Sequence, residues 1–100
     1  MKLTMTNKLK IAPSTKFKKD LKKITKQNKD RKLLDQVIEK LQLQEPLQKK
    51  HWDHALIGDY KGYRECHITP DWLLIYRVKN NQSIELLDLT RTGSHSDLFK

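Results

Sequence analysis

The spacing of the hydrophobic residues changes near the middle of the chain, and this change limits the folds that are possible. In the first half they recur three to four positions apart, so each group lies on one face of a helix. The two groups are Phe17, Leu21 and Ile24, followed by Leu33, Leu34, Val37, Ile38 and Leu41. Ser14 and Asp30 precede these groups and suit the N-cap, where a side chain accepts from a free backbone N–H. We therefore predict a helical hairpin with one apolar seam and a lysine-rich exterior.

The second half alternates polar and apolar residues or runs continuously apolar, as strands do. Including a short first strand before the helices, the predicted strands are 8–12, 63–68, 72–78 and 84–90. Thr69-Pro70-Asp71 and Asn80-Asn81 suit tight turns, and such short connections make neighbouring strands antiparallel. The predicted fold is α+β, in the order β-α-α-β-β-β: the N-terminal helical hairpin packs on one face of a mostly antiparallel four-stranded sheet. The other face is then available for a ligand.

Composition fits a single domain over residues 1–100, long enough for one core. The lone cysteine, Cys66, favours a reducing, cytoplasmic setting, and no apolar run approaches the roughly 20 residues that span a bilayer. The net charge is +9 and is concentrated in residues 1–50, which hold 15 Lys and Arg against 5 Asp and Glu. This charge favours nucleic acid as a partner, then an acidic protein, and only distantly a membrane. The alternative is that the lysines only keep the helices soluble.

All four histidines lie in the second half, beside an aspartate and an arginine near predicted strand ends. The candidate catalytic residues are His54, His67, Asp71, Arg91 and His95. Imidazole exchanges a proton near neutrality and guanidinium binds phosphate oxygens, so the set suits RNA cleavage without a metal. Taken singly, Asp71 also fits a turn, Arg91 a surface ion pair and His67 a structural histidine. His51 and His54 form H-x-x-H without a clear third ligand, so no metal or other cofactor is predicted.

Two ordered strings resemble a known family: DHALIGDYKGYRECHITPDWLLIYRV at 53–78 and RTGSHSDLF at 91–99. They are similar to the YafQ branch of the RelE/ParE toxin superfamily, whose members are ribosome-dependent mRNA interferases of bacterial type II toxin–antitoxin systems. The similarity covers about half of the chain at the level of motifs. It implies a RelE-like fold and an active toxin, in which a 2′-hydroxyl attacks in line and leaves a 2′,3′-cyclic phosphate.

The resemblance also implies roles for individual residues. His95 is expected to be the general acid and Arg91 to stabilise the phosphorane. The base and orienting roles fall to His54, His67 and Asp71, and which of them removes the proton stays open. RNA-binding residues are expected at Trp72, Phe99, Lys18, Lys19, Lys22 and Lys23.

The implied partners are the ribosome with mRNA in its A site, and an antitoxin resembling DinJ or RelB in a heterotetramer or larger complex. Two alternatives stay open. A ParE-like poison of DNA gyrase would share the fold but have no use for the histidine set, and a non-catalytic RNA- or ribosome-binding domain would use the histidines structurally. Three further aromatic residues can stack on bases or fill the core: Trp52, Tyr63 and Tyr76.

Overall fold

The computed structural model describes residues 8–81 and 84–99. Its elements are β1 (Lys10–Pro13), α1 (Thr15–Lys26), α2 (Arg31–Gln42), β2 (His54–Ala55), β3 (Arg64–Thr69), β4 (Trp72–Asn81), β5 (Ile84–Gly93) and α3 (His95–Leu98), with short 3-10 turns at Lys49–His51 and Gly58–Tyr60. Both predicted caps are present: Ser14 accepts from Phe17 N at 2.9 Å and Asp30 from Lys32 N at 3.0 Å. Each described helix is too short and too polar to cross a bilayer.

The predicted four-stranded, mostly antiparallel sheet was wrong in the number of strands and in the direction of one pair. It has five strands in the order β1-β5-β4-β3-β2, and β1 runs parallel to β5 while the other described pairs are antiparallel. Strand β2 has two residues, too few for an alternating pattern to identify it. The parallel pair joins the first strand to the last. Turn residues determine only the pairing of strands that are neighbours in the sequence, so they do not specify this long-range pairing.

Strands β4 and β5 are both longer than predicted. Asn80 and Asn81 were expected to form a turn, but they continue β4 and pair with Glu85 and Ile84. The connection at 82–83 lies outside the described residues. At the other end β5 continues to Gly93, which places Arg91 within the strand instead of at its end. The extra ladder hydrogen bonds of the long hairpin outweigh the turn preference of asparagine.

The helical hairpin covers one face of the sheet and forms the main core with it, as predicted. Leu34 of α2, Cys66 of β3, Leu74 of β4 and Leu87 of β5 are all 0% exposed. The opposite face, meaning the face that the hairpin leaves uncovered, carries a smaller buried cluster. That cluster joins Leu73, Ile75 and Leu98 to the partly buried Leu56, Tyr60 and Tyr63. The face expected to be available for a ligand is therefore partly covered by α3 and the Gly58–Tyr60 turn.

Helix α1 takes over as the neighbour of β5 where β1 ends. The Ser14 hydroxyl donates to Thr90 O at 2.7 Å, and the Thr92 N–H donates to the Asp20 carboxylate at 3.0 Å. Asp20 is only 9% exposed. A buried N–H without a partner is costly in free energy. At this end of β5 the Asp20 carboxylate therefore accepts the hydrogen bond that a neighbouring strand would otherwise accept.

Candidate active site

The pairing register aligns several predicted catalytic residues across the sheet. One row of directly paired residues crosses four strands: His54, Glu65, Ile75 and Arg91. Directly paired residues project from the same face, and His67 shares that face because it lies two positions after Glu65. Ile75 belongs to the smaller cluster, so His54, Glu65 and His67 lie on the opposite face. This is the first requirement of a shared site.

Two of the imidazoles surround a buried glutamate. The Nε2 atoms of His54 and His67 lie 3.4 Å and 3.8 Å from Oε1 of Glu65. Glu65 is 6% exposed and is the acidic side chain nearest to both rings among the described ion pairs. We call His54, Glu65 and His67 the imidazole–carboxylate cluster.

Backbone carbonyl oxygens orient both rings of this cluster. Nδ1 of His54 donates to Trp52 O at 2.7 Å, and Nδ1 of His67 donates to Pro70 O at 3.2 Å. Because a carbonyl oxygen only accepts, each Nδ1 carries a hydrogen and each Nε2 is the atom that gains or loses a proton. Nε2 of His67 is buried and has no hydrogen-bond partner within the described residues. Each ring therefore presents a basic nitrogen toward Glu65.

Glu65 was not among the predicted site residues, although the sequence carries a signal for it. Glu65 is a carboxylate inside an alternating strand, two positions before His67, so both side chains had to share a face. A buried acid in a strand is uncommon unless a cation or proton donor faces it. That combination is the pattern that would have found it.

Asp71 takes no part in the described hydrogen bonds and ion pairs of this cluster. It is exposed and occupies the two-residue loop between β3 and β4. In the described part of the chain its carboxylate makes no hydrogen bond to a histidine. The orienting function that was expected of Asp71 is performed by the carbonyls of Trp52 and Pro70.

The two tryptophans have opposite environments. Trp72 was expected to bind RNA, but it is 1% exposed, and its Nε1 donates to Thr92 Oγ1 at 2.9 Å inside the main core. It therefore cannot stack on a base, because its place in β4 points it under the helical hairpin. Trp52 is 63% exposed and stacks on His54, with 4.5 Å between the ring centroids.

A second group of side chains surrounds α3, at the end of β5. His95 is exposed, and its ring centroid lies 4.9 Å from that of Phe99. Phe99 in turn packs edge-on against Tyr60 at 5.9 Å. Ser94 caps α3 by accepting from the Asp97 N–H at 3.2 Å. We call Tyr60, His95 and Phe99 the α3 cluster.

Arg91 connects the α3 cluster to α1. Its Nε and Nη2 donate to the two carboxylate oxygens of Asp20 at 2.8 Å and 3.1 Å. These hydrogen bonds to Asp20 are the main cause that raises the pKa of the Arg91 guanidinium, and Tyr60 is close enough to raise it further. The side chain of Arg91 remains 20% exposed, so part of its charge faces solvent.

The four predicted RNA-binding lysines of α1 are all exposed, but they are not equivalent. Lys23 forms an ion pair with Asp97 of α3 at 2.9 Å. Lys18, Lys19 and Lys22 form no ion pair within the described residues. Lys23 therefore helps to hold α3, whereas the other three present their charge to solvent.

Neither a cysteine nucleophile nor a metal cluster is found in the described residues. Burial raises the pKa of the Cys66 thiol, which leaves it protonated and inert. Within 8–81 and 84–99, no three His, Cys, Asp or Glu side chains are arranged to hold a metal ion. The imidazoles on this face are groups that can transfer protons.

A family model places this small basic α+β domain among the toxins of type II toxin–antitoxin systems. Residues 9–100 match the family model described as "Bacterial toxin of type II toxin-antitoxin system, YafQ". The chain is a member of the YafQ family. Among curated relatives, the "mRNA interferase toxin YafQ" of Escherichia coli K12 is 39% identical over 90 residues, covering 89% of this chain and 94% of that protein.

Solved structures agree with this assignment. The YafQ chain of the E. coli DinJ–YafQ toxin–antitoxin complex has a TM-score of 0.81 and 37% identity, over 93% of this chain and 99% of that one. A metal-bound toxin from Helicobacter pylori has a TM-score of 0.82 and 47% identity, over 91% of this chain and 99% of that one.

Proposed function

We propose that this chain is a ribosome-dependent mRNA endoribonuclease that cuts the message in the A site and so inhibits translation. One observation carries the proposal: the imidazole–carboxylate cluster and the α3 cluster lie on the same face of the sheet. His67 of β3 is aligned through Leu73 of β4 with Gly93 of β5, two positions before His95. Neighbouring strands lie about 4.8 Å apart, so the backbones of His67 and Gly93 are about 10 Å apart. A phosphodiester between the two clusters would be flanked by imidazole on both sides.

The reaction proposed is transesterification without a metal. His54 takes the proton of the 2′-hydroxyl at Nε2, the 2′ oxygen forms a bond to phosphorus, and the bond from phosphorus to the 5′ oxygen breaks. His95, as imidazolium, gives its proton to that 5′ oxygen. The products are a 2′,3′-cyclic phosphate and a 5′-hydroxyl. Each such proton transfer contributes roughly a hundred- to ten-thousand-fold in rate.

The structure favours His54 over the other two base candidates. Its side chain is 30% exposed, whereas that of His67 is 18% exposed and its Nε2 is buried. Asp71 is exposed in the loop between β3 and β4, and its carboxylate makes no described hydrogen bond or ion pair with either ring. We therefore assign His67 to the support of Glu65 and His54, and Asp71 to a contact with RNA. Arg91 would place its exposed edge on the phosphorane.

The partners follow from charge and from the relatives. Exposed Lys18, Lys19 and Lys22 would grip ribosomal RNA, and this binding should weaken steeply with salt. An antitoxin of the DinJ kind would inhibit the chain, since the related E. coli toxin is seen in complex with DinJ. We propose a heterotetramer or larger complex, in which an acidic segment of the antitoxin covers part of the lysine-rich surface.

The decisive experiment maps the 5′ ends of transcripts after brief induction of the toxin. Breaks at a fixed position within codons, with 5′-hydroxyl ends, are expected. His95→Gln should abolish them, and Ser96→Ala, an exposed neighbour on α3, should leave them unchanged. Growth arrest with intact transcripts and DNA damage would contradict the proposal and favour gyrase poisoning.

A separate experiment tests whether cleavage needs no transition metal. This test matters because a related H. pylori toxin is metal-bound. The purified chain is assayed with programmed ribosomes in Mg²⁺ buffer, with and without 1,10-phenanthroline, which removes transition metals and leaves Mg²⁺. An unchanged cleavage rate is expected. Loss of cleavage that added copper or zinc restores would overturn this part of the mechanism.

A further inference from the structure

Trp52 is an aromatic residue that the proposed reaction leaves without a role. It lies between the Lys49–His51 turn and β2, and its side chain is 63% exposed although it is one of the largest apolar groups in the chain. Its backbone is in the left-handed region, with φ 41°. A residue with a side chain rarely adopts this conformation, and where it does the surrounding contacts hold it there.

Two contacts hold Trp52 in this conformation. Its N–H donates to Lys49 O at 3.0 Å, and its carbonyl oxygen accepts from Nδ1 of His54 at 2.7 Å. Its indole covers the imidazoles: the ring centroids are 4.5 Å apart for His54 and 5.1 Å apart for His67. The indole is therefore a fixed, solvent-facing aromatic surface directly beside the proposed base.

We propose that the exposed indole of Trp52 binds the nucleobase on the 5′ side of the bond that is cut. The inference rests on the proposed function and adds a base-binding site to it. The reacting 2′-hydroxyl is attached to the sugar carbon next to the one that bears the base. When that hydroxyl reaches Nε2 of His54, its own base is brought over the ring that stacks on His54. Aromatic stacking accepts every base, and the larger face of a purine makes it the favoured one.

Fluorescence provides the first test, because the chain has two tryptophans and Trp72 is 1% exposed. The probe is a short RNA with one 2′-deoxy nucleotide on the 5′ side of the mapped break, which cannot react. Saturable quenching of the wild-type emission is expected. Trp52→Phe should remove this quenching, since the buried Trp72 cannot touch a base. Equal quenching of the wild type and of Trp52→Phe would overturn the proposal.

The second test combines protein variants with an abasic message in the ribosomal A site. Removal of the base on the 5′ side of the bond should lower the wild-type kcat/KM about ten- to hundred-fold. Trp52→Ala should lose a similar factor on the intact message and nothing further on the abasic one. Trp52→Phe should recover most of the loss, and Ile57→Ala, an apolar control that is 88% exposed, should match the wild type.

The outcomes separate the stacking site from the proposed function. If the wild type cuts no message, the nuclease proposal fails. If it cuts, but Trp52→Ala cuts equally fast and is equally sensitive to the missing base, Trp52 does not bind the base. If Trp52 only shields His54, Trp52→Ala should cut both messages more slowly and remain as sensitive to the missing base as the wild type, and this result would also overturn the stacking site.

Discussion

The imidazole–carboxylate cluster and the α3 cluster share one face of the sheet but are built differently. In the first, both rings are held by carbonyl oxygens through Nδ1 and face the buried Glu65. In the second, His95 is exposed on a helix of four residues. A short, exposed element opens at little cost in free energy, whereas Glu65 and His67 lie on β3, which is paired on both sides, and such residues open only with a larger part of the fold. If the proposed roles hold, the site combines a base beside a buried carboxylate with an acid on a short, exposed helix.

The largest expected effect comes from the exposed member of this comparison. His95→Gln should lower the rate of cleavage about a hundred- to ten-thousand-fold, because the leaving oxygen loses its proton donor. The melting temperature should stay within the error of the wild type, since the ring is exposed. Single-turnover cleavage and thermal unfolding measure both. A stable variant that keeps its rate would remove His95 from the acid role.

The next largest effect concerns the ion pair between Arg91 and Asp20, which connects the α3 cluster to α1. Asp20→Ala removes the acceptor of two Arg91 hydrogen bonds and of the Thr92 N–H. Breaking such a largely buried pair should cost about 3 kcal/mol of unfolding free energy in a urea titration. Asp20→Asn keeps an oxygen acceptor and should cost less. Equal stability of Asp20→Ala and the wild type would show that this contact does not hold β5 to α1.

Coupling energies test whether the two clusters are separate units. Glu65→Gln and His54→Gln, whose side chains are in contact, should show a coupling of about 1 kcal/mol in unfolding free energy. Glu65→Gln and His95→Gln should add to within about 0.5 kcal/mol, because they share no partner. Strong coupling in the second pair would mean that the two clusters unfold as one unit.

The smallest expected effect concerns the titration of Asp97, whose ion pair with Lys23 holds α3 to α1. The hydrogen bond from Lys23, helped by Ser94, lowers the pKa of Asp97 from 3.8 to about 2. The ion pair therefore stabilises the folded state fully above pH 4, and this contribution is lost as the pH falls toward 2. Lys23→Met should move the carboxyl midpoint in a ¹³C NMR titration toward 3.8. Lys19→Met, also exposed on α1, should leave the midpoint unchanged.

Local features of the fold were readable from the sequence. The caps Ser14 and Asp30 and the apolar seam of the hairpin are confirmed, apart from Leu33, which is 38% exposed. These features depend on neighbours within one or two turns, so a pattern of a few residues reports them. The parallel pairing of β1 with β5 and the short β2 depend on contacts across the whole chain, and no local pattern contains them.

The candidate site divides in the same way. The types of its polar residues made His54, His67, Arg91 and His95 candidates, and their catalytic roles stay predictions. The burial of an aromatic side chain could not be predicted from the sequence, since both residues are tryptophans but Trp52 is 63% exposed and Trp72 is 1% exposed. Which group orients each imidazole was also beyond reach, because the acceptors are backbone carbonyls and every residue has one.

The amino-acid pattern alone was enough for the helical hairpin, the strand-forming second half, the basic character and the family resemblance, because spacing and charge are properties of the chain itself. The tertiary structure decided which side chains meet. It placed Glu65 between two imidazoles, paired Arg91 with Asp20 and left Trp52 exposed to solvent. Those outcomes depend on strand order and register, and a shift of one residue in register would send each side chain to the other face.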